Sequence, residues 1–135
     1  MTDTKPHNRD KNYRIKSDSP FLQALGVAND AGEIKPNKYA KYRQICRFVE
    51  IFIERIERTQ AVKQKRVKVL DIGSGKGYLT FAMYDQLAQA GLNPKIDGVD
   101  TRTEMVDLCN AAAQTAGFEN LAFHNMKAED FVEGY

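Results

Sequence analysis

The sequence predicts an α/β protein whose core is a parallel sheet flanked by helices. Three short apolar segments with strand character, 67–72, 95–100 and 120–124, alternate with helical patterns over 78–90 and 101–116. The links between them are short, and a glycine follows each helical pattern. Such a βαβαβ alternation favours parallel strands joined by right-handed crossovers.

The first half of the chain predicts a helical extension in front of the sheet. Residues 1–36 are polar and contain one short helix over 20–25, with a proline in its first turn. Residues 37–66 predict a long amphipathic helix, from 38 to about 60, and a basic link, because apolar residues recur there at steps of three and four. Residues 67–135 contain the three strands.

Composition is typical of one folded domain. Hydrophobic residues make up 42% and charged residues 28% of the 135 residues. No apolar run approaches the ~20 residues of a membrane span, and the polar N-terminus lacks the apolar segment of a signal peptide. Cys46 and Cys109 lie in helical patterns without metal-ligand spacing, which predicts buried free thiols. We therefore expect a cytoplasmic protein with neither a membrane partner nor a metal site.

The charge is distributed unevenly along the chain. Residues 1–66 carry 15 Lys and Arg against 8 Asp and Glu, whereas residues 67–135 carry 5 against 10. Four of the basic residues lie on the first turns of the predicted long helix: Lys38, Lys41, Arg43 and Arg47. Such a basic surface would attract RNA. A solvated helix face is the alternative interpretation.

A glycine-rich turn follows the first strand and is the strongest functional signal in the sequence. Gly73, Gly75 and Gly77 alternate with other residues, and a helical pattern begins at Tyr78. A strand, a glycine turn and a helix N-terminus present unpaired backbone N–H groups and bare backbone to a ligand. The segment therefore predicts a nucleotide-type cofactor site.

Two other glycine motifs fit this turn less well. A phosphate-binding P-loop needs G-x-x-x-x-G-K-[ST], but Leu70 precedes Gly75 by five residues and Gly77 follows Lys76. A dinucleotide site needs G-x-G-x-x-G, and Tyr78 stands where the third glycine belongs. An NAD- or FAD-dependent oxidoreductase domain stays an alternative, as does a non-catalytic interaction module with the same fold.

The spacing Asp71-x-Gly73-x-Gly75-x-Gly77 resembles motif I of the class I methyltransferases that use S-adenosylmethionine (SAM). The block GSGKGYLT is most similar to putative RNA methyltransferases of the ribosomal RNA adenine dimethylase-like group. This resemblance implies a Rossmann-like sheet with strand order 3-2-1, SAM as cofactor and RNA as the methyl acceptor.

The sequence and the resemblance together suggest residues for the cofactor site. Asp100 ends the second strand 23 residues after Gly77, where Rossmann-like folds place an acid that accepts hydrogen bonds from the ribose. By resemblance, Asp71 would face the methionine amine of SAM, and Lys76 its carboxylate unless that lysine faces solvent. The predicted cofactor-binding residues are Asp71, Gly73, Ser74, Gly75, Lys76, Gly77, Asp100, Thr101, Ala128 and Glu129.

The segment after the third strand is similar to the adenine-binding segment of the same superfamily. Ala128 and Glu129 would lend backbone groups to the adenine, with Met126 or Phe131 at its flank. Lys127 stands where the family usually has an acid, so the side-chain part of adenine recognition departs from the pattern.

No catalytic residue can be assigned from the sequence. In the superfamily a fourth strand and the motif that holds the methyl acceptor come next, so we expect no methyl transfer from these 135 residues alone. Without that strand, segment 67–72 would have an open edge. We expect the chain to self-associate through this edge, or the edge to pair with the chain's own N-terminal segment near residues 13–16.

Overall fold

A computed structural model describes residues 15–59 and 63–133, with the backbone alone at residue 133. Three strands and five α-helices lie in these ranges, and a 3-10 turn at Pro36–Lys38 precedes the longest helix. The strands are β1 (Arg66–Ile72), β2 (Asn93–Asp100) and β3 (Leu121–Asn125). The helices are α1 (Pro20–Ala24), α2 (Tyr39–Ile56), α3 (Tyr78–Gln89), α4 (Thr103–Ala116) and α5 (Ala128–Glu133).

The three strands form one parallel sheet in the order β1-β2-β3. Ile72 pairs with Val99, and Asp100 pairs with Asn125, so all three strands end at the same edge of the sheet. The predicted fold class and the strand order 3-2-1 are therefore confirmed. Parallel strands that end together bring the loops after β1, β2 and β3 into one region, where this type of sheet binds ligands.

An aromatic cluster fills the space between the sheet and the helices on one face. Phe81 of α3 stacks on Phe123 of β3 and on Phe21 of α1, with ring centroids 5.6 and 6.2 Å apart. Gly98 makes room for this cluster, because a Cβ there would lie 2.6 Å from the Phe123 ring. The central strand therefore needs a glycine at this position.

The N-terminal part of the described chain packs into the same core. Ile15 and Phe21 are fully buried, and α2 lies against α3. The Tyr42 hydroxyl donates a 2.5 Å hydrogen bond to the Ile15 carbonyl. Tyr13 lies outside the described residues, so pairing of the N-terminal segment with β1 stays a prediction.

Two element boundaries differ from the predicted ones. The helical pattern predicted over 101–116 begins two residues later, at Thr103, and the Arg102 N–H at the cap position donates to the Asp100 carboxylate. The strand predicted over 95–100 begins at Asn93 and so includes Pro94, which precedes the first pairing with β3 at Ile96, so its missing N–H breaks no bond to β3. No helix in 15–59 or 63–133 is long and apolar enough to cross a membrane.

Candidate functional site

The loop from β1 to α3 follows the end of β2 closely. The backbone N–H groups of Gly73 and Ser74 both donate to the Val99 carbonyl, at 2.8 and 3.2 Å. Gly73, Gly75 and Gly77 have φ angles of 71°, 60° and 80°, in the left-handed region that favours glycine. A Cβ at Gly77 would also lie 2.9 Å from the Cys109 sulfur, so glycine is required there for space as well.

Asp100 lies beside this loop at the end of β2, and four donors surround its carboxylate. Oδ2 accepts bonds from the Gly75 backbone N–H at 2.9 Å and from Arg102 Nη2 at 3.0 Å. Oδ1 accepts bonds from the Arg102 backbone N–H at 2.8 Å and from Arg102 Nε at 3.0 Å. The Arg102 side chain and these backbone donors hold the pKa of Asp100 well below its ordinary value, against the opposing effect of burial. Asp100 is therefore an anion at any physiological pH.

Asp71, at the end of β1, is held by a residue of the following helix. The fully buried Thr80 hydroxyl donates a 2.6 Å hydrogen bond to Asp71 Oδ2. Since Asp71 is half-buried, a ligand can still approach the carboxylate from the cleft that it lines. Thr80 appeared in the sequence only as the last residue of the methyltransferase-like block, and its contact with Asp71 was not predicted.

Two clefts share Gly73 as a lining residue. The first, of about 220 Å³, is lined by Lys41, Gln44, Asp71, Gly73, Ser74, Lys76, Gly77, Tyr78 and Leu79. The second, of about 270 Å³, is lined by Ile72, Gly73, Val99, Asp100, Thr101, Arg102, Met126 and Ala128. Each cleft contains one carboxylate from a strand end. The two clefts therefore suit a ligand with two polar parts, one for each cleft.

The clefts bring together eight of the ten residues predicted to bind a cofactor. Gly75 lines neither cleft but donates to Asp100, which lines the second. Glu129 is exposed on α5 and is not among the lining residues of either cleft.

Seven further residues line the clefts without having been predicted to contact the cofactor. They are Lys41, Gln44, Ile72, Tyr78, Leu79, Val99 and Arg102. The only signal for Arg102 was its position two residues after Asp100, because a side chain so close in sequence can turn back onto that carboxylate.

The apolar walls of the second cleft are unusually exposed. Ile72 is 59% exposed and Met126 is 37% exposed, although both are large apolar residues. An apolar surface beside a buried carboxylate suits a ligand that combines a flat ring with hydroxyl groups.

A second buried carboxylate belongs to a separate polar cluster. Asp97, in the middle of β2, lies 2.8 Å from His124 Nε2 and accepts a 3.0 Å bond from Lys95 Nζ. Burial raises the pKa of Asp97, but the hydrogen bonds from His124 and Lys95 outweigh this effect and lower it. His124 in turn lies against the Phe131 ring of α5. This cluster joins β2, β3 and α5 outside the two clefts.

Solved structures with a similar fold include several methyltransferases. The Podospora anserina methyltransferase PaMTH1, bound to S-adenosylhomocysteine (SAH), superimposes with a TM-score of 0.58 at 12% identity, over 100% of this chain and 55% of that one. Coclaurine N-methyltransferase, bound to N-methylheliamine and SAH, gives 0.53 at 11% identity, over 93% and 39%. The bifunctional kinase-methyltransferase WbdD gives 0.52 at 21% identity, over 64% and 18%. At these identities the likeness concerns the fold.

The chain is shorter than these similar structures, of which it spans between 18% and 55%. No curated protein sequence matches it significantly. The family model described as "Methyltransferase domain" matches residues 40–133, which include α2 except its first residue, the whole sheet and both clefts. The chain therefore belongs to the methyltransferase domain family.

Proposed function

We propose that this chain is the SAM-binding part of a class I methyltransferase. The observation that carries the proposal is the pair of clefts joined at Gly73, each with one carboxylate at a strand end. SAM has the same two-part character, with an adenosine at one end and a charged amino acid at the other. Family membership and the fold shared with SAH-bound methyltransferases support the assignment.

The second cleft would hold the adenosine. Asp100 is an anionic acceptor for the two ribose hydroxyls, and charge-assisted hydrogen bonds of this kind are stronger than neutral ones. Met126 and Ile72 offer apolar surface to the adenine ring, and Ala128, the first residue of α5, lines the same cleft. The exposed Glu129 takes no part in this assignment.

The first cleft would hold the methionine end. Asp71, fixed by Thr80, faces the cleft and would pair with the ammonium group. Lys41 and Lys76 are the cations that line the same cleft, and either could pair with the carboxylate. Lys41 donates to Gln44 at 3.0 Å and lies 5.0 Å from the centre of the Tyr78 ring, so α2 contributes a positioned cation.

When bound, SAM supplies an electrophilic methyl group on a sulfonium centre. The residues of this chain bind the two ends of the cofactor and so orient the methyl group between them, which lowers the entropic part of the barrier. None of the residues assigned here abstracts a proton or holds the acceptor.

For the methyl acceptor we propose RNA, and for the compartment the cytoplasm. The support for RNA is the excess of positive charge in residues 1–66 and the exposure of Arg43 and Arg47 on α2, close to the first cleft. The support for the cytoplasm is the pair of buried, unpaired thiols of Cys46 and Cys109.

Calorimetric titration of the 135-residue chain with SAM, SAH and NAD⁺ tests the cofactor assignment. We expect SAM and SAH to bind at one site and NAD⁺ to bind at least tenfold more weakly. Preferential binding of NAD⁺ would instead indicate an oxidoreductase domain. Binding of none of the three to a chain that unfolds cooperatively would indicate a non-catalytic module.

A further inference from the structure

The carboxylate of Asp100 is covered by a side chain of the same loop. The Asp100 side chain is 5% exposed, whereas the Arg102 side chain that lies on it is 60% exposed. In this arrangement a ribose cannot reach the carboxylate unless the arginine moves. The most conspicuous acceptor of the proposed cofactor site is thus blocked by its neighbour.

The four donors on Asp100 fall into two classes. Two are backbone N–H groups, of Gly75 and Arg102, which belong to the loop and to the start of α4. The other two are Nε and Nη2 of the Arg102 guanidinium, one on each carboxylate oxygen and both at 3.0 Å. A carboxylate has about four lone-pair positions, so no acceptor position stays open.

The two side-chain bonds have the geometry of the diol that they exclude. A guanidinium presents two parallel N–H donors to the two oxygens of one carboxylate. A ribose presents two adjacent hydroxyl donors, one for each oxygen. The two hydroxyls of a cis-diol can therefore replace the two N–H donors of the guanidinium fork one for one. The two backbone donors keep the carboxylate in place meanwhile.

Glycine leaves the room that this fork needs. A Cβ at Gly75 would lie 3.4 Å from Arg102 Nη2, so the guanidinium rests against the bare backbone of the loop. Because most of the arginine side chain is exposed, it can swing into solvent without disturbing the core.

We infer that Arg102 is an internal competitor for the cofactor. Its guanidinium fork occupies the acceptor positions of Asp100 that the ribose hydroxyls would use, and a ligand with a cis-diol displaces the fork when it binds. This inference rests on the proposed function. It makes Arg102 a residue that sets cofactor affinity without contacting the reacting atoms. In the free protein the guanidinium charge also compensates the charge of the Asp100 carboxylate, which burial has removed from water.

The inference predicts that removing the fork tightens cofactor binding. If the fork is closed in about 70–90% of the free molecules, Arg102→Ala should lower the Kd for SAH about three- to tenfold, since the apparent Kd rises as the competent fraction falls. Arg102→Lys keeps the charge but loses the two parallel bonds, so it should give a smaller gain. Arg66→Ala, which removes a positive charge at the opposite end of β1, should leave the Kd unchanged.

A modified ligand distinguishes displacement of the fork from a general electrostatic effect of removing the Arg102 charge. The 2′,3′-dideoxy analogue of SAH offers no donors to Asp100 and leaves the fork in place. Arg102→Ala should therefore not improve its binding. An equal gain for SAH and the dideoxy analogue would overturn the inference.

Nuclear magnetic resonance of the arginine Nε–H groups gives a readout that does not depend on affinity. In the free protein the Arg102 Nε–H should exchange slowly with solvent, and Asp100→Asn should abolish this protection. Saturating SAH should abolish it as well. Protection that persists in the SAH complex would overturn the inference but not the proposed function. An Arg102→Ala variant that binds SAH no better than the wild-type chain would have the same consequence. If neither the wild-type chain nor Arg102→Ala binds SAH, the proposed function is wrong, and the competitor role fails with it.

Discussion

Asp71 and Asp100 differ in how the protein holds them. Asp100 is buried under four donors, and its pKa lies well below the ordinary value, chiefly because of Arg102. Asp71 is half-buried and receives one hydrogen bond, from Thr80. One strand end therefore offers an acceptor that is already occupied, and the other offers one that a cation can approach directly.

The Asp100 carboxylate should be the main polar anchor of the ribose. We expect Asp100→Ala to raise the Kd for SAH by up to about 50-fold, because hydrogen bonds to a charged group contribute about 1.5–3 kcal/mol and displacement of the Arg102 fork offsets part of that gain. The variant also removes the acceptor for the Gly75 N–H, so its melting temperature should fall. Calorimetric titration and thermal unfolding measure the two effects. Asp107→Ala, which removes an exposed carboxylate of α4, is the control, and an unchanged Kd in Asp100→Ala would remove Asp100 from the site.

The two thiols should make the protein less stable at alkaline pH. Burial raises the pKa of both Cys46 and Cys109 to about 11. An unfolded thiol has a pKa of about 8.5, so between roughly pH 8.5 and 11 the unfolded chain loses protons that the folded chain keeps. The free energy of unfolding should therefore decrease as pH rises through this range, by up to about 2 kcal/mol per thiol at pH 10.

Urea unfolding at pH 7.5, 9 and 10 measures this alkaline loss of stability. The double variant Cys46→Ala, Cys109→Ala should be less stable at neutral pH but should show a shallower decrease. Parallel curves for the two proteins would contradict the prediction.

Helix α2 connects the first cleft with the basic surface proposed for RNA. Lys41 and Gln44 turn towards Asp71 and the glycine loop, whereas Arg43 and Arg47 are exposed on the same turns. Arg47 lies 3.8 Å from Glu50, a distance at which an exposed ion pair contributes little. One helix could thus hold the cofactor with one face and attract an acceptor with another.

If this surface binds RNA, its affinity should fall steeply with salt. Each phosphate contact contributes about 0.7 to the slope of log K against log salt for single strands. The triple variant Lys38→Ala, Arg43→Ala, Arg47→Ala should therefore reduce the slope by up to about 2. Lys41 is left intact because it lines the first cleft.

Fluorescence anisotropy with a labelled single-stranded RNA measures this slope. The double variant Arg55→Ala, Arg58→Ala removes exposed charges at the other end of α2 and just after it, and serves as the control. Equal slopes for the wild-type chain and the triple variant would show that these basic residues do not contact RNA and form a solvated helix face instead.

For the whole molecule, the important asymmetry is between the two faces of the sheet. Helices α3 and α4 pack against β2 and β3 on the face that contains Gly98 and Phe123. On the other face Ile72 is 59% exposed. Among the described residues, β1 pairs with β2 on one side and with no strand on the other. Open strand edges with apolar residues favour association with another chain.

We therefore predict that the 135-residue chain self-associates through β1. Sedimentation velocity over a hundredfold range of concentration should show a rising average mass. Ile72→Lys should suppress association, because a lysine at an edge opposes strand pairing. Ile51→Lys, at an exposed position of α2, should not. A wild-type chain that stays monomeric throughout would contradict this prediction.

The sequence by itself determined the fold class and the glycine loop, whereas the strand order was implied by the resemblance to class I methyltransferases. The fold class and the loop depend on local constraints that appear in the spacing of residues: β-branched segments, helical periodicity, and glycines where φ must be positive. The position of Asp100 at a strand end was also predictable, because it depends only on where β2 stops.

Only the tertiary structure decided which groups occupy these positions. The bond between Thr80 and Asp71, the approach of Lys41 and Gln44 to the first cleft, and the fork of Arg102 on Asp100 are contacts between side chains. Their geometry depends on how the helices pack and on which rotamers the packing allows. The spacing of residues along the chain determines neither the helix packing nor the rotamers. The sequence therefore predicted a cofactor site at these strand ends, and the packed structure showed that the carboxylate proposed to accept the ribose already accepts four hydrogen bonds.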